Sequence, residues 1–242
     1  MIKRTDKLTT LGRMAAGIAH RINNPLAGIL LYSSILKKQV AEEGPFQEGL
    51  EIIIQETLRC KRVIQEFLDF SEERPPLKKP ADFNSVLEMS LGFLENEFRL
   101  HYIQLEKSLS PELPEVLLDI NQIQQVFINI LKNAIEATLE RGRIKVSSRV
   151  SPDGRTVKAE IFDNGCGIEA EDLDKVFEPF FSNKQIGTGL GLSVCLRIIE
   201  NHQGQLEVSS HPRIGTCFSV ILPVYPKLGR IKNLDRVRVV VK

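Results

Sequence analysis

The strongest constraint in this sequence is a run of apolar residues at alternating spacings of three and four that begins near its start. Leu8, Leu11, Ala15, Ile18, Ile22, Ile29, Tyr32 and Leu36 follow it, with Pro25 occupying one slot. On a helix such residues fall on one stripe, the seam of a coiled coil. "AEEGPFQ" interrupts the run at Gly44 and Pro45, after which Leu50, Ile53, Thr57, Ile64, Phe67 and Ser71 resume it, backed by Ile54, Leu58 and Leu68. The spacing predicts a helical hairpin over residues 1–73. Its apolar stripes are too broad for one partner helix to cover. A dimeric four-helix bundle is therefore expected, with packing onto the rest of the same chain as the alternative.

"SEERPPLKKP" stops the second helix, and residues 74–80 read as a linker. From residue 81 to 242 the pattern changes. A helix is expected over Asn84–Arg99, then the extended "YIQLEKSL", then the helix "INQIQQVFINILKNAIEATLE" with Asp119 as its N-cap. "RIKVSSRV" and "TVKAEIFD" flank "SPDG" as a hairpin would. The helix "LGLSVCLRIIENHQ" and the strands "QLEVSS" and "CFSVILPV" follow, and the tail "RIKNLDRVRVVVK" reads as a last strand. The fold class is thus α+β: a helical hairpin followed by an α/β two-layer sandwich with a mostly antiparallel sheet.

Composition narrows the function. A net charge of +1 gives no support to nucleic-acid binding driven by overall charge, and 6% aromatics without Trp weaken base stacking. Cys60, Cys166, Cys195 and Cys217 are scattered without a CxxC pair, so they read as reduced, mostly buried thiols rather than a zinc site. No run approaches 18 apolar residues and "MIKRTDKLTT" lacks a signal-peptide core. A cytoplasmic chain without a membrane segment is expected.

Three pieces carry chemistry. Asn129 and Asn133 are four apart and stack on one helix face, opposite Ile123, Phe127, Ile130, Ala134 and Ala137. Taken alone, two such amides read sooner as a solvated face than as a site. "FDNGCGI" places Asp163 at a strand end with Gly165 and Gly167 just after it. These glycines let backbone approach a flat ligand, and the carboxylate can accept an exocyclic N–H, although Asp-Asn-Gly is also a common turn. "GTGLGL", comprising Gly187, Thr188, Gly189, Leu190, Gly191 and Leu192, opens a helix and exposes backbone N–H groups suited to phosphates. It matches neither the dinucleotide-binding fingerprint nor a P-loop.

In this order and at these separations, the pieces resemble the ATP-binding domain of the sensor histidine kinases, within the wider ATPase superfamily that includes gyrase, Hsp90 and MutL. "NILKNAIEA" resembles that family's N box, "DNGCGI" its G1 box, "VFEPFFSNK" its F box and "GTGLGL" its G2 box, with "GTCFSVILP" matching the closing strand. The resemblance covers about residues 81–225. It implies that ATP binds with Mg²⁺, that Asn129 coordinates the metal and that Asn133 supports metal or phosphates. It further implies that Asp163 holds adenine, with Gly165 and Gly167 lining its pocket. Gly187, Gly189 and Gly191, with Thr188 and Leu190 between them, would meet the phosphates and hinge a lid over residues 168–186. Lys184 adds a charge to the phosphates or is a solvated lid residue, and Phe177, Phe180 and Phe181 anchor the lid by packing. The gyrase-like members hydrolyse ATP with a glutamate where this chain has Asn129, and an amide cannot act as a base toward water. The phosphoryl group then needs another acceptor.

"AHRINNPLAGIL" resembles the phosphoacceptor box of the HisKA-type kinases, which implies that His20 is phosphorylated and that a response-regulator receiver domain is the partner. On the heptad, His20 faces away from the seam. Pro25 lacks an N–H and clashes with the carbonyl of Arg21, loosening the helix one turn past the histidine. Arg21 departs from the pattern, which usually has a carboxylate there to accept the imidazole's other N–H; a guanidinium has only donors. Asn24 retains the position the family uses in dephosphorylating its partner. Three expectations stay open: transfer assisted by another base such as Glu66 or Asp69, an altered kinase–phosphatase balance, or a dimeric ATP-binding regulator that transfers nothing. His101, His202 and His211 read as structural or exposed.

Overall fold

The computed structural model describes residues 22–40, 44–71, 75–138, 141–182 and 187–225. The chain divides into two units, Met1–Arg74 and Pro75–Lys242. In the first, α1 (22–39) and α2 (Pro45–Ser71) are separated by a segment containing Gly44, whose φ of 146° suits a residue without a β-carbon. The Gly44 carbonyl accepts the N–H groups of Gln47 and Glu48, which starts α2. Ser33 and Thr57 are buried within the unit, and Lys37 pairs with Glu51 between the helices. Several of the described seam residues are not covered. Ile22, Ile29, Tyr32 and Leu36 of α1 and Ile53 of α2 are exposed, Tyr32 by 69%.

The second unit begins earlier than the sequence predicts. Lys79 and Pro80, expected in the linker, belong to β1 (Lys79–Ala81), which pairs antiparallel with β3 (Val116–Leu118). This strand is an edge, where a proline without an N–H is tolerated. The single helix expected over Asn84–Arg99 is two: α3 (Phe83–Phe93), capped by Asp82, and α4 (Glu95–Leu100). They part at Leu94, a buried residue whose N–H turns back to the Leu91 carbonyl at 3.2 Å. β2 (Gln104–Leu109) then leads through β3 to α5 (Ile120–Ala137). The predicted hairpin forms as β4 (Arg143–Val150) and β5 (Thr156–Asp163), and the chain ends its described course with α6 (Gly191–Asn201), β6 (Gln205–His211) and β7 (Gly215–Pro223). The last strand expected in "RIKNLDRVRVVVK" lies outside the described residues.

The five-stranded sheet has the order β2-β4-β5-β7-β6, with β2 parallel to β4 and every other pair antiparallel. Alternation sorts its two faces. β5 buries Val157, Ala159, Ile161 and Asp163, while Thr156, Lys158, Glu160 and Phe162 take the other side. On that outer side Lys158 lies 3.1 Å from Glu160 and 3.3 Å from Glu207, so the face is finished by ion pairs. α5 packs on β5 and α6 on β6, with α5 between α3 and α6. The core between the layers holds Phe83 against Phe127, their ring centroids 5.4 Å apart. Helices on one face and water on the other make the two-layer sandwich. The upper end of this core, where α5, α6 and the ends of β5 and β7 meet, carries the motifs.

Candidate functional site

Asp119 starts the first wall. Its Oδ1 accepts the N–H groups of Asn121 and Gln122, so α5 begins where the sequence places its cap. Ile123, Val126, Phe127, Ile130, Leu131 and Ala134 are buried, a wider face than the expected stripe, whereas Ala137 is only half-buried. Asn129 and Asn133 lie half-buried along the edge of that face. The Asn129 amide donates from Nδ2 to the Gly191 carbonyl at 3.4 Å, joining the N box to the start of α6. Cys195, one turn along α6, also hydrogen-bonds Asn129, and burial pushes its thiol up to about 12, so it stays protonated. Its Sγ donates to the Val126 carbonyl. The amide's hydrogens are therefore directed to α6, which leaves its oxygen as the end suited to a hard cation.

The second wall is the G1 loop after β5. Asp163 is 2% exposed, and its Oδ1 accepts the Gly165 N–H at 2.9 Å. A β-carbon on Gly165 would stand 2.4 Å from the Ala137 carbonyl oxygen, and the next N–H, that of Cys166, bonds that same oxygen at 3.1 Å. Gly167, at φ 74°, lies against the His211 carbonyl. Arg213 N–H, from the β6–β7 turn, closes onto the Cys166 carbonyl at 2.7 Å. The loop is clamped between the end of α5 and that hairpin, and its glycines are required by backbone contact. Cys166 itself is exposed, as is Cys60, which corrects the expectation of mostly buried thiols; Cys195 is buried and Cys217 half-buried.

The third wall is "GTGLGL". Gly187 is exposed, and Thr188 Oγ1 accepts the Leu190 N–H at 3.3 Å. Leu190 is buried and anchors the turn. Gly189 and Gly191 differ in kind. Gly189 has φ 69°, and a β-carbon there would approach the Phe180 carbonyl carbon to 2.5 Å; its own carbonyl accepts the Phe180 N–H at 3.0 Å. Gly191 would place a β-carbon no nearer than 3.8 Å to Asn129, an ordinary contact. Packing demands the first glycine and not the second. α6 starts without any side-chain cap, whereas Asp82 and Asp119 cap α3 and α5. Its first-turn N–H groups sit beside Asn129, where the helix dipole favours an anion.

Of the expected lid anchors, Phe177 is buried and Phe181 half-buried. Phe180 is 64% exposed at φ 67°, a correction: its N–H bonds the Gly189 carbonyl across the lid segment, and the ring is turned outward. Lys184 lies outside the described residues, as do His20 and Arg21. Asn24 and Pro25 are exposed on α1, which continues helical through the proline. Glu66 and Asp69 belong to α2. His101 and His211 are exposed, and His202 is buried with both ring nitrogens engaged.

Two further polar residues lie beside Asp163, and one of them, Thr216, falls in the closing-strand run "GTCFSVILP". Thr216 on β7 is the cross-strand partner of Asp163, and Ser210 on β6 is the partner of Thr216. For Ser210 the sequence signal is a polar residue at an inward position near the end of its strand.

A layered sheet with these three walls defines an ATP-binding domain of the histidine kinase and gyrase type. The family model described as "Histidine kinase-, DNA gyrase B-, and HSP90-like ATPase" matches residues 118–226, and that of the "His Kinase A (phospho-acceptor) domain" matches residues 10–76. The chain belongs to the sensor histidine kinase family and has the arrangement of its catalytic core. The signal transduction histidine-protein kinase AtoS of Escherichia coli is 36% identical over 92% of this chain, which spans 36% of AtoS. Sporulation kinase E of Bacillus subtilis is 34% identical over 96% of the chain, which spans 31% of that protein. The chain thus spans about a third of these relatives. Histidine kinase ThkA, solved in complex with response regulator protein TrrA, is 30% identical with a TM-score of 0.68, over 93% of this chain and 65% of that one. Among the described residues no helix is long and apolar enough to cross a membrane.

Proposed function

We propose that this chain transfers the γ-phosphoryl group of ATP to His20 and then to an aspartate of a response-regulator receiver domain. The observation that carries the reading is the bond from Asn129 to Gly191, which sets a potential metal ligand beside the uncapped start of α6. Triphosphate oxygens fit the α6 N–H groups, and adenine fits the G1 wall at Asp163, with Gly165 and Gly167 lining the pocket. Asn129 would hold Mg²⁺ by its amide oxygen, with Asn133 supporting metal or phosphates and Lys184 adding a positive charge. The ion, when bound, offsets charge developing on the phosphate oxygens. A ring nitrogen of His20 attacks phosphorus in line, the bond to the bridging oxygen breaks, and ADP leaves with that electron pair. The proton on the other ring nitrogen then needs an acceptor, which Arg21 does not provide.

In this reading residues 1–73 dimerise and present His20, 74–80 connect, and 81–242 bind nucleotide. Exposure of Ile22, Ile29, Tyr32, Leu36 and Ile53 supports a homodimer, since an apolar stripe of that size marks an interaction surface. ThkA's complex with a regulator supports a receiver partner, and Asn24 would orient water when that partner is dephosphorylated. Site residues of this kind act in the cytoplasm, where ATP is available. Incubation with γ-labelled ATP and Mg²⁺ tests the proposal: acid-labile label on the wild type, absent from His20→Ala and Asn129→Ala, is expected. Arg21 favours a second reading, a dimeric ATP-binding regulator without transfer. Nucleotide binding without any label supports that one.

A further inference from the structure

Most of the sheet's inner face is apolar. Val208, Phe218, Ile161 and Val146 form one buried cross-strand row over β6, β7, β5 and β4. At the end nearest the G1 loop the row changes character and becomes Ser210, Thr216 and Asp163, which are 5%, 3% and 2% exposed. Polar side chains are costly in such a place unless bonded, so their hydrogens can be traced.

Ser210 Oγ accepts the Ile168 N–H at 2.8 Å, lies 3.0 Å from the Gly215 carbonyl oxygen and 2.9 Å from Thr216 Oγ1. A hydroxyl has one hydrogen, and a carbonyl oxygen can only accept, so the Ser210 hydrogen goes to Gly215. The bond between the two hydroxyls must then use the hydrogen of Thr216. Toward Asp163 on its other side, Thr216 is left with lone pairs alone. The Asp163 carboxylate is also an acceptor. The wall therefore offers two neighbouring acceptors, and a ligand there must bring donors.

We infer that Ser210 is a positioning residue that fixes the Thr216 hydroxyl as an acceptor and thereby biases the base pocket toward purines with a 6-amino group over those with a 6-oxo group. This rests on the proposed placement of the base at Asp163. The same Ser210 oxygen holds the N–H of Ile168, the first residue of the expected lid, so polarity at the base and attachment of the lid share one atom.

The test measures dissociation constants of ATP and inosine 5′-triphosphate with the full chain. Wild type should prefer ATP, and Ser210→Ala, which frees the Thr216 hydrogen to turn toward the base, should narrow that preference about tenfold, the worth of one buried hydrogen bond. Ser210→Thr keeps the hydroxyl and should restore the preference. Thr216→Val leaves the Ser210 bonds to Gly215 and Ile168 in place and should narrow it likewise, a check that holds even if Ser210→Ala folds poorly. Equal weakening of both nucleotides, or an unchanged ratio in both variants, overturns the inference and leaves ATP binding standing. Failure of the wild type to bind either nucleotide overturns both.

Discussion

Single residues at this site divide into those the fold requires and those it does not, and the glycines of "GTGLGL" show the difference. Gly189 has φ 69° and no room for a β-carbon beside Phe180 and Phe181. Alanine there should cost at least about 1 kcal/mol from the left-handed backbone alone, and more from the contact. A lower melting temperature is expected. Gly191 has only the Asn129 amide near it, at 3.8 Å, so Gly191→Ala should melt within a degree or so of wild type. If phosphates approach that backbone, the same variant should bind ATP about tenfold or more weakly. Loss of stability without loss of affinity would mean that Gly191 serves packing after all. Arg21 poses the other residue-scale question. Arg21→Glu supplies an acceptor beside His20 and should raise autophosphorylation by roughly a hundredfold, the low end for an added general base. An unchanged rate would show that the arginine does not limit transfer.

At the scale of elements, Asp119 and His202 tie α5, α6 and the segment ahead of β1 together. Asp119 Oδ1 caps α5, its Oδ2 accepts the Leu77 N–H at 2.8 Å, and its own N–H donates to His202 Nε2 at 3.0 Å. His202 closes α6, and its Nδ1–H donates to the Ile198 carbonyl at 2.7 Å. An imidazole that accepts at one nitrogen and donates at the other is neutral. Burial, above all, holds its pKa below the ordinary 6.5, with Lys78 acting in the same direction against the opposing effects of the Ile198 bond and Asp119. In the unfolded chain this histidine protonates more readily than in the folded one. Stability from this group is therefore complete above about pH 6.5 and falls as pH drops through that value. Melting curves between pH 5.5 and 7.5 should show a steeper acid loss for wild type than for His202→Gln, which keeps one acceptor and one donor without titrating. Equal slopes would remove His202 as the cause. Asp119→Ala should cost about 1–2 kcal/mol as a lost cap, read from the denaturant midpoint.

At the scale of the whole molecule, the helical unit carries an exposed apolar stripe, with Ile29 and Ile53 among the residues on it. Light scattering should report a dimer for wild type. Placing lysine at both Ile29 and Ile53 should give a monomer, because charges in a buried seam are not compensated there. A dimer that survives the double substitution would place the interface elsewhere.

The sequence by itself determined most of the helices and strands, because period and punctuation are local. Asp119 as a cap, "SPDG" as a turn and the alternation of "TVKAEIFD" each act within a few residues, and each appears where expected. Local signals also erred where a distant partner decided the outcome. Lys79 and Pro80 became a strand only because Leu118 and Leu117 lie opposite them, and Phe180 turned outward because Gly189 bonds its N–H. Asp163 is far in sequence from Ser210 and Thr216 and meets them only because β5 pairs with β7. Tertiary structure alone set that row, the meeting of Asn129 with Gly191, and the neutral His202. Hydrogen-bond polarity and burial depend on which groups share a space, and pairing across a sheet settles that.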